Sequence, residues 1–309
     1  MELVGNIYEA ECITHSGTMH ADEIFSTAFL DLYKKDVKVY RTTSVPNDIK
    51  DNVLVYDIGR GKFDHHQEDA AKRENGITYC SFGLLWQEFG RDFLKQRNID
   101  NIEEVFTYFD KDFIEAIDAD DNGVFPKIEA TYKVKTLSDV FKLFNPGYKS
   151  GQDESLQFAK AVVFAKSIIE EELISVTGKV IAKKQVLKCL ETKENHTLIL
   201  PEYMPYEQTI LQEESANDIY FVVYPSNRGG YGIKTVPISQ EDHTKRCDFP
   251  KEWSGLENEE LEKASGIKGL TFCHLTRFLT CCDTIETAKV AIAKALETIP
   301  EEEILAKND

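Results

Sequence analysis

Two kinds of apolar pattern alternate along the first 125 positions: a helical period and short continuous runs. In residues 21–33 (ADEIFSTAFLDLY), apolar side chains recur every three to four positions, which predicts an amphipathic helix. The same period returns twice, in residues 79–96 and 102–119. Continuous apolar or β-branched runs of strand length occupy other segments, at residues 11–14, 37–42 and 52–59. Strands that alternate with helices predict an α/β fold with a parallel sheet and helices on both of its faces.

The predicted secondary structure changes after a long helical pattern that runs from Asp153 to about Cys189. Strand-like runs then dominate, at residues 196–200, 218–226, 231–239 and 270–280. A last amphipathic helix is predicted over residues 284–299, capped by Asp283 or Thr284. We therefore predict two domains joined by the long helix. The first spans residues 1–175, and the second, a smaller α+β domain, spans residues 176–309.

Composition narrows the class of protein. The chain has 309 residues, of which 42% are hydrophobic, and this length favours two domains over one small core. No apolar run reaches the roughly 18 residues that a membrane span needs, and the acidic start lacks an export signal. We expect a cytoplasmic protein with no membrane partner. The seven scattered cysteines form no C-x-x-C pair, which argues against a structural zinc site.

The net charge of −18 bears on the substrate. It repels nucleic acid in bulk, so a surface for long duplex DNA is not expected. Divalent cations bound at an acidic site would nevertheless attract a small anionic group such as a phosphate.

Histidines and carboxylates form four clusters near predicted strand or helix ends. The first contains His15, His20 and Asp22, in the turn before the first helix, and Asp57 follows the strand NVLVY. The triplet Asp64-His65-His66 comes next, and the run DADDNG holds the last pair, Asp118 and Asp121. In open α/β sheets, ligands bind at the carboxyl ends of the strands. Mixed imidazole and carboxylate groups without thiolate are typical of a hydrolytic transition-metal site.

Each cluster also has a plain structural interpretation. Asp57 alone is more often a turn former, DADDNG alone is more often a solvated helix terminus, and His15 alone could be a core histidine. Chance alone would rarely place four such clusters at successive strand and helix ends of one sheet. We therefore favour a joint metal site.

These motifs resemble a known superfamily. The pattern H-x4-H-x-D, the strand-terminal Asp, D-H-H and the downstream Asp are similar to the four motifs of DHH phosphoesterases, which include manganese pyrophosphatases and RecJ-like exonucleases. More closely, the segments THSGTMHADE, VYDIGRGKFDHHQ, EAIDADDNG and EWSGLENEELEKASGIKGLTFCH resemble the melanocyte proliferating gene family of metal-dependent hydrolases. Eukaryotic members of that family are described as RNA exonucleases.

The resemblance implies that residues 1–175 form a metal-binding catalytic domain and that residues 176–309 form a substrate-binding domain. It also implies a site with two divalent ions, expected to be Mn²⁺, with Mg²⁺, Co²⁺, Fe²⁺ and Zn²⁺ as alternatives. It implies that His15, His20 and Asp57 hold one ion. The second ion would be held by Asp57 as the bridging ligand together with Asp22, His65 and either Asp118 or Asp121. His20 replaces the Asp of the commoner H-x3-D-x-D motif, which shifts the preference toward a later transition metal.

Two catalytic roles and three substrate contacts are also expected. His66 would contact a phosphoryl oxygen or protonate the leaving group, and Asp64 would orient a neighbouring ring. In the C-terminal domain, where the glycine-rich loop of the superfamily is absent, His274, Arg277 and Arg228 are candidate anion contacts. A solvated strand surface is the alternative for these three.

The leading hypothesis is a phosphoester hydrolase, with 3′-to-5′ cleavage of RNA or a short oligonucleotide as its specific form. A pyrophosphatase or small-metabolite phosphatase is one alternative. A metal-stabilised regulatory or interaction protein with little turnover is another. The sequence leaves the native metal and a homodimer open.

Overall fold

The computed structural model describes residues 1–240 and 242–298 of the chain. The backbone forms two compact units, the first spanning Met1–Thr177 and the second beginning at Gly178. The first unit contains an all-parallel sheet with helices, and the second is rich in strands. The predicted α/β class is therefore confirmed.

The sheet of the first unit has four short strands in the order β1-β3-β2-β4. Their bounds are β1 Glu2–Leu3, β2 Cys12–His15, β3 Lys38–Thr42 and β4 Leu54–Val55. The central strand β2 pairs in parallel with both β3 and β4. Because parallel neighbours end at the same edge of a sheet, the residues that follow β2 and β4 start close together.

Helix α1 (Ala21–Lys34) is the central helix of the first unit, and its residues from Ala21 to Asp31 are all buried. Helix α2 (Ser81–Gln96) packs beside it through an aromatic core. The rings of Phe25 and Phe82 stack at a centroid distance of 5.6 Å, and Phe29 meets Trp86 edge to face at 5.7 Å. This packing holds the first turn of α1, which carries two of the carboxylates discussed below.

The predicted helix over residues 102–119 consists of three segments. Helix α3 (Ile102–Phe109) passes into a π-helical turn (Asp110–Ile114) and then into α4 (Glu115–Asp121). A π-helical turn changes the face that the following residues present, and such turns are frequent at functional sites. A short helix, α5 (Leu137–Phe141), begins with a capping box between Thr136 and Asp139.

Helix α6 (Glu154–Leu190) is the long helix that the sequence predicts, and it contains the division between the units. The second unit holds a five-stranded sheet in the order β5-β6-β7-β9-β8, in which only β5 and β6 are parallel. Its strands are β5 Thr197–Ile199, β6 Phe221–Pro225, β7 Tyr231–Thr235, β8 Leu270–Cys273 and β9 Leu279–Cys282. Two short helices, α7 (Glu207–Gln212) and α8 (Asn258–Ser265), lie between strands in the chain.

Each face of this second sheet has its own core. Phe221, Val223 and Ile233 belong to one cluster with residues of α9 (Ile285–Leu296). Val222, from the opposite face of β6, belongs to a second cluster with Val186 near the end of α6. The predicted last helix extends to Ile299, which lies outside the described residues.

Two further sequence expectations concern helices and cysteines. No helix within residues 1–240 and 242–298 has the length and apolarity that a membrane crossing requires. All seven cysteines lie among the described residues, and none of them forms a disulfide bond.

Candidate metal centre

Two neighbouring strand ends and one helix start bring the site together. β2 ends at His15, and Asp57 lies two residues beyond the end of its parallel neighbour β4. Asp22 and Glu23 lie in the first turn of α1, where both are buried. The helix N-terminus favours negative charge, which suits acidic residues at this position.

One side of the crevice pairs histidine with carboxylate. The Nε2 atom of His15 is 3.0 Å from Asp57 Oδ2 and 3.6 Å from Glu23 Oε1. The exposed ring of His20 lies 5.6 Å from the ring of His15. Ligand atoms of His15, His20 and Glu23 lie within 4.8 Å of one another, so they have the spacing of a metal site.

The other side is centred on His65. Its Nδ1 atom is 3.7 Å from Asp57 Oδ1 and 3.9 Å from Asp22 Oδ2, and its Nε2 atom is 2.9 Å from Asp121 Oδ2. Asp57 is thus close to histidines on both sides of the crevice. A carboxylate in this position can bridge two ions.

Three buried polar atoms of this cluster have no hydrogen-bond partner among the described residues. They are Oδ1 of Asp22, Oδ1 of Asp57 and Nδ1 of His65. Buried polar atoms in native proteins are almost always paired, because an unpaired one retains its desolvation cost. Two carboxylate oxygens and one imidazole nitrogen form the donor set of a divalent transition metal, so these residues fit such an ion.

The pKa values show the same need for positive charge. Burial, together with the negative charge of Asp22, raises the pKa of Asp57 to about 10. Burial also raises the pKa of Asp22 and of Glu23, and neighbouring carboxylates add to both shifts. Several buried carboxylates cannot all be ionised without nearby cations. A divalent ion would provide that charge.

His65 is the main positive charge that the protein itself supplies. Burial would lower the pKa of His65, but the hydrogen bond to Asp121 and the charges of Asp22 and Asp57 raise it to about 9. Its protonated form therefore occupies the position in which a cation is favoured.

Asp64 orients His66. Asp64 accepts hydrogen bonds from the backbone N–H groups of Arg60, at 2.6 Å, and His66, at 3.1 Å, and its Oδ1 atom lies 2.8 Å from His66 Nδ1. Burial would raise the pKa of Asp64, but the bonds from His66 and Arg60 lower it. An ionised carboxylate can only accept, so His66 Nδ1 carries the proton and Nε2 remains available on a side chain that is 61% exposed.

Asp57 is held in an unusual backbone conformation, with φ at 56°. Positive φ is uncommon for residues other than glycine, and such strain is often found at functional sites. Its backbone N–H donates to the carbonyl of Phe63 at 3.0 Å, which ties it to the loop that carries the D-H-H triplet.

Asp118 and Asp121 occupy different environments. Asp118 Oδ2 accepts a 2.7 Å hydrogen bond from Arg73 Nε, and Asp118 Oδ1 accepts one of 3.0 Å from the backbone N–H of Cys80. Both of its oxygens are therefore engaged away from the cluster, whereas Asp121 has ligand atoms grouped with His20 and Asp22.

Two residues of the site are absent from the sequence-based candidates. Glu23 accepts the backbone N–H of His20 with both oxygens at 2.9 Å and also faces His15. Ser81 donates its hydroxyl to Asp22 Oδ2 at 2.8 Å. Glu23 has the spacing of a capping box, three residues after the N-cap, but the N-cap is His20 and not one of the usual capping residues, so the sequence pattern did not identify it. No sequence signal identifies Ser81, because its partner is 59 positions away.

The three substrate candidates of the second unit differ in availability. Arg277 is engaged, since it donates to the carbonyl of Phe249 and to Asp248 Oδ2, both at 2.9 Å. The ring of His274 is bonded within its own turn, to Thr276. Arg228 lies exposed in the turn between β6 and β7.

Comparison with known proteins covers nearly the whole chain. A family model for MYG1 exonucleases, described as uncharacterised protein family UPF0160, matches residues 11–296. The MYG1 protein of Dictyostelium discoideum is 30% identical over 319 residues, covering 93% of this chain and 97% of that protein. The MYG1 exonuclease of Homo sapiens is 26% identical, covering 86% and 80% of the two chains.

A bacterial relative is similar over the same length. The MYG1 protein of Chlamydia muridarum is 26% identical, covering 92% of this chain and 96% of that protein. No solved structure matches the chain. The family model and relatives of this coverage confirm the resemblance that the motifs indicate, and the chain belongs to the MYG1 family.

Proposed function

We propose that this chain is a divalent-metal-dependent phosphoester hydrolase that acts as a 3′-to-5′ exonuclease on RNA or short oligonucleotides. The observation that carries the proposal is the set of unpaired buried atoms of Asp22, Asp57 and His65, which converge on one crevice. The printed name of the human, bovine and rodent relatives, MYG1 exonuclease, supports the nuclease assignment.

We assign Asp57 as the bridging ligand because histidines lie on both sides of it. His15 and His20 complete the first set, and we add Glu23, whose ligand atom lies within 4.8 Å of theirs, as a further candidate ligand. The second set consists of Asp57 and three further residues, namely Asp22, His65 and Asp121. Asp118 is left out of the ligand set because Arg73 and Cys80 occupy its oxygens.

Bound divalent ions at such a site lower the pKa of a coordinated water and stabilise negative charge on a phosphoryl group. Imidazole ligands beside carboxylates favour Mn²⁺ over Mg²⁺, with Co²⁺, Fe²⁺ and Zn²⁺ as competitors. The remaining chemistry belongs to the chain. His66, held by Asp64 through Nδ1, presents Nε2 toward solvent, and from its doubly protonated form it can donate the Nε2 proton to a leaving oxygen and become the neutral imidazole.

The test is a metal-reconstitution assay. The chain is stripped with chelator, reloaded with one metal at a time, and given 5′-labelled oligoribonucleotide, pyrophosphate or a mononucleotide. We expect Mn²⁺ to restore stepwise shortening of the oligonucleotide from its 3′ end. Hydrolysis of pyrophosphate alone, or no hydrolysis with any metal, would contradict the proposal.

Asp57→Asn is the matched variant for this assay. Asparagine tolerates positive φ, so the change removes one charge and keeps the backbone conformation of residue 57. We expect a loss of at least about a hundredfold in kcat/KM, since changes one shell further out already cost ten- to a hundredfold. Asp51→Asn, at an exposed position outside the site, is the control and should retain full activity.

A further inference from the structure

One face of the five-stranded sheet carries an open cleft. Tyr224 on β6, Gly232 on β7 and Cys281 on β9 lie side by side in one row across three neighbouring strands. The end of α6 packs with Val222 and partly with Tyr224 on this face. A cleft of about 640 Å³ opens over Gly232 and Cys281, within the range of small-molecule sites.

Gly232 lets the ring of Tyr224 lie close against β7. A Cβ atom at Gly232 would lie 2.9 Å from that ring, which is closer than real Cβ contacts. A larger residue at this position would therefore displace the ring. With glycine here, the ring of Tyr224 lines the cleft together with Gly232 and Cys281.

An exposed tyrosine forms one wall. Tyr203 lines the cleft and is 65% exposed, and its ring meets the ring of Tyr224 edge to face at a centroid distance of 5.1 Å. The contact with Tyr224 supports Tyr203 from one side and leaves much of its surface open. An exposed, supported aromatic ring beside a cleft is a stacking platform for a planar group.

The lining of the cleft also contains a cation, Arg228. Within residues 1–240 and 242–298, the guanidinium of exposed Arg228 has no hydrogen bond or ion pair. Asn227 adds amide donors, and Glu202 adds a carboxylate that can accept N–H groups. A planar group with N–H donors and an attached anion complements this arrangement.

We propose that this Tyr203 cleft binds one nucleotide of a single-stranded nucleic acid, with the base stacked on Tyr203 and a phosphate held by Arg228. The inference rests on the proposed nuclease function and names a substrate contact for it. Stacking is tolerant of sequence because every base has a π-face. A site with one free cation also suits a chain of net charge −18, since it attracts a phosphate locally.

The test measures binding without cleavage. The full-length chain is titrated by fluorescence anisotropy with a labelled 2′-O-methyl phosphorothioate hexanucleotide, and with an abasic probe of the same length and backbone. We expect Tyr203→Ala to weaken binding of the base-bearing probe roughly five- to a hundredfold and to leave binding of the abasic probe unchanged. Tyr203→Phe keeps the ring and should bind both probes as the wild type does.

Two further variants complete the design. Arg228→Ala should weaken binding of both probes and reduce the slope of log Kd against log salt by about 0.7, the value for one phosphate contact on a single strand. Tyr148→Ala, which removes a 90% exposed tyrosine of the first unit, is the control and should change neither affinity.

The outcomes separate this inference from the proposed function. Wild-type affinity of Tyr203→Ala for both probes overturns the inference, and so does an equal loss for both, which would indicate a structural role. Hydrolysis of bis-p-nitrophenyl phosphate by the wild-type chain depends on the metal centre and needs no base. If that reaction proceeds while base-dependent binding is absent, the inference fails and the hydrolase proposal stands.

Discussion

Arg73→Met should destabilise the first unit strongly. The side chain of Arg73 is only 6% exposed and pairs closely with Asp110 and Asp118, and Glu115 is a third carboxylate at 3.8 Å. It makes bonds of 2.7 and 2.8 Å to Asp110 and a bond of 2.7 Å to Asp118, and it stacks over the ring of Tyr79 at 4.5 Å. Removing one partner of a buried ion pair leaves an uncompensated charge, which costs about 3–5 kcal/mol.

The size of this effect depends on pH. Burial raises the pKa of Asp118 to about 6, even though Arg73 lowers it. Without Arg73 the pKa of Asp118 in the folded protein rises further above that of the unfolded chain. The resulting loss of stability therefore grows as pH rises above 6 toward the raised pKa of the variant, and it is nearly absent below pH 6, where Asp118 is protonated with or without Arg73. The part of the loss that comes from Asp110 remains.

The assay is urea unfolding followed by circular dichroism at pH 5 and pH 8, in chelator so that metal binding makes no contribution. Asp118→Asn in the Arg73→Met background should recover part of the loss, because it removes the unpaired charge. Glu103→Gln breaks an exposed pair with Arg91 and should leave the unfolding free energy unchanged within error. A loss below about 1 kcal/mol for Arg73→Met at pH 8, or equal losses at both pH values, would refute the reasoning.

Three more expectations follow from other parts of the molecule. Mn²⁺ at a hundred times its Kd should raise the unfolding free energy by about 2.7 kcal/mol, and calorimetry of Asp57→Asn should show no comparable gain. Asp31 is buried and accepts a 2.6 Å hydrogen bond from Lys166. Burial would raise the pKa of Asp31, but this bond and the terminal amino group lower it overall. Asp31→Asn should therefore lose stability at neutral pH in urea titrations, and the difference from wild type should vanish as pH falls through that lowered pKa. Gly83→Ala should lower the free energy of unfolding by about 1–3 kcal/mol, because the added Cβ would lie 2.6 Å from the carboxylate oxygens of buried Asp118. Gly178→Ala, at a helix position with open space, should raise it by up to about 1 kcal/mol. Equal melting temperatures for the two variants would contradict both expectations.

The long periodic segments of the chain were predictable from the sequence, and some short ones were not. The helices α1, α2, α6 and α9 each contain several turns, so their apolar period identifies them. The strand β1 has two residues and contains no period, whereas β4 lies within the predicted run 52–59 but is limited to two of its residues. The π-helical turn at Asp110–Ile114 was also missed, because its apolar residues continue the helical pattern on either side.

Residue types alone could not decide between Asp118 and Asp121. Both carboxylates belong to one acidic run at the end of α4, and both are three or four positions from other acidic groups. The difference arises from Arg73, which donates a hydrogen bond to Asp118 and is 45 positions earlier in the chain than Asp118. The sequence identifies the residue types that could bind a metal. It does not show which other residues contact them, because those contacts depend on loop conformations that no apolar period predicts.

The sequence also could not distinguish the two candidate arginines of the second unit as phosphate contacts. Arg277 and Arg228 look equivalent in sequence, since each lies in a turn between two strands. In the structure the charge of Arg277 is compensated by Asp248, whereas Arg228 borders a cleft that also contains Tyr203. A phosphate that binds Arg277 must compete with a carboxylate already in place, whereas the guanidinium of Arg228 has no such partner within the part of the chain that the structure describes. If the second unit selects the substrate, the free cation is the better candidate for that contact, and the aromatic ring beside it adds a preference for bases over bare phosphate.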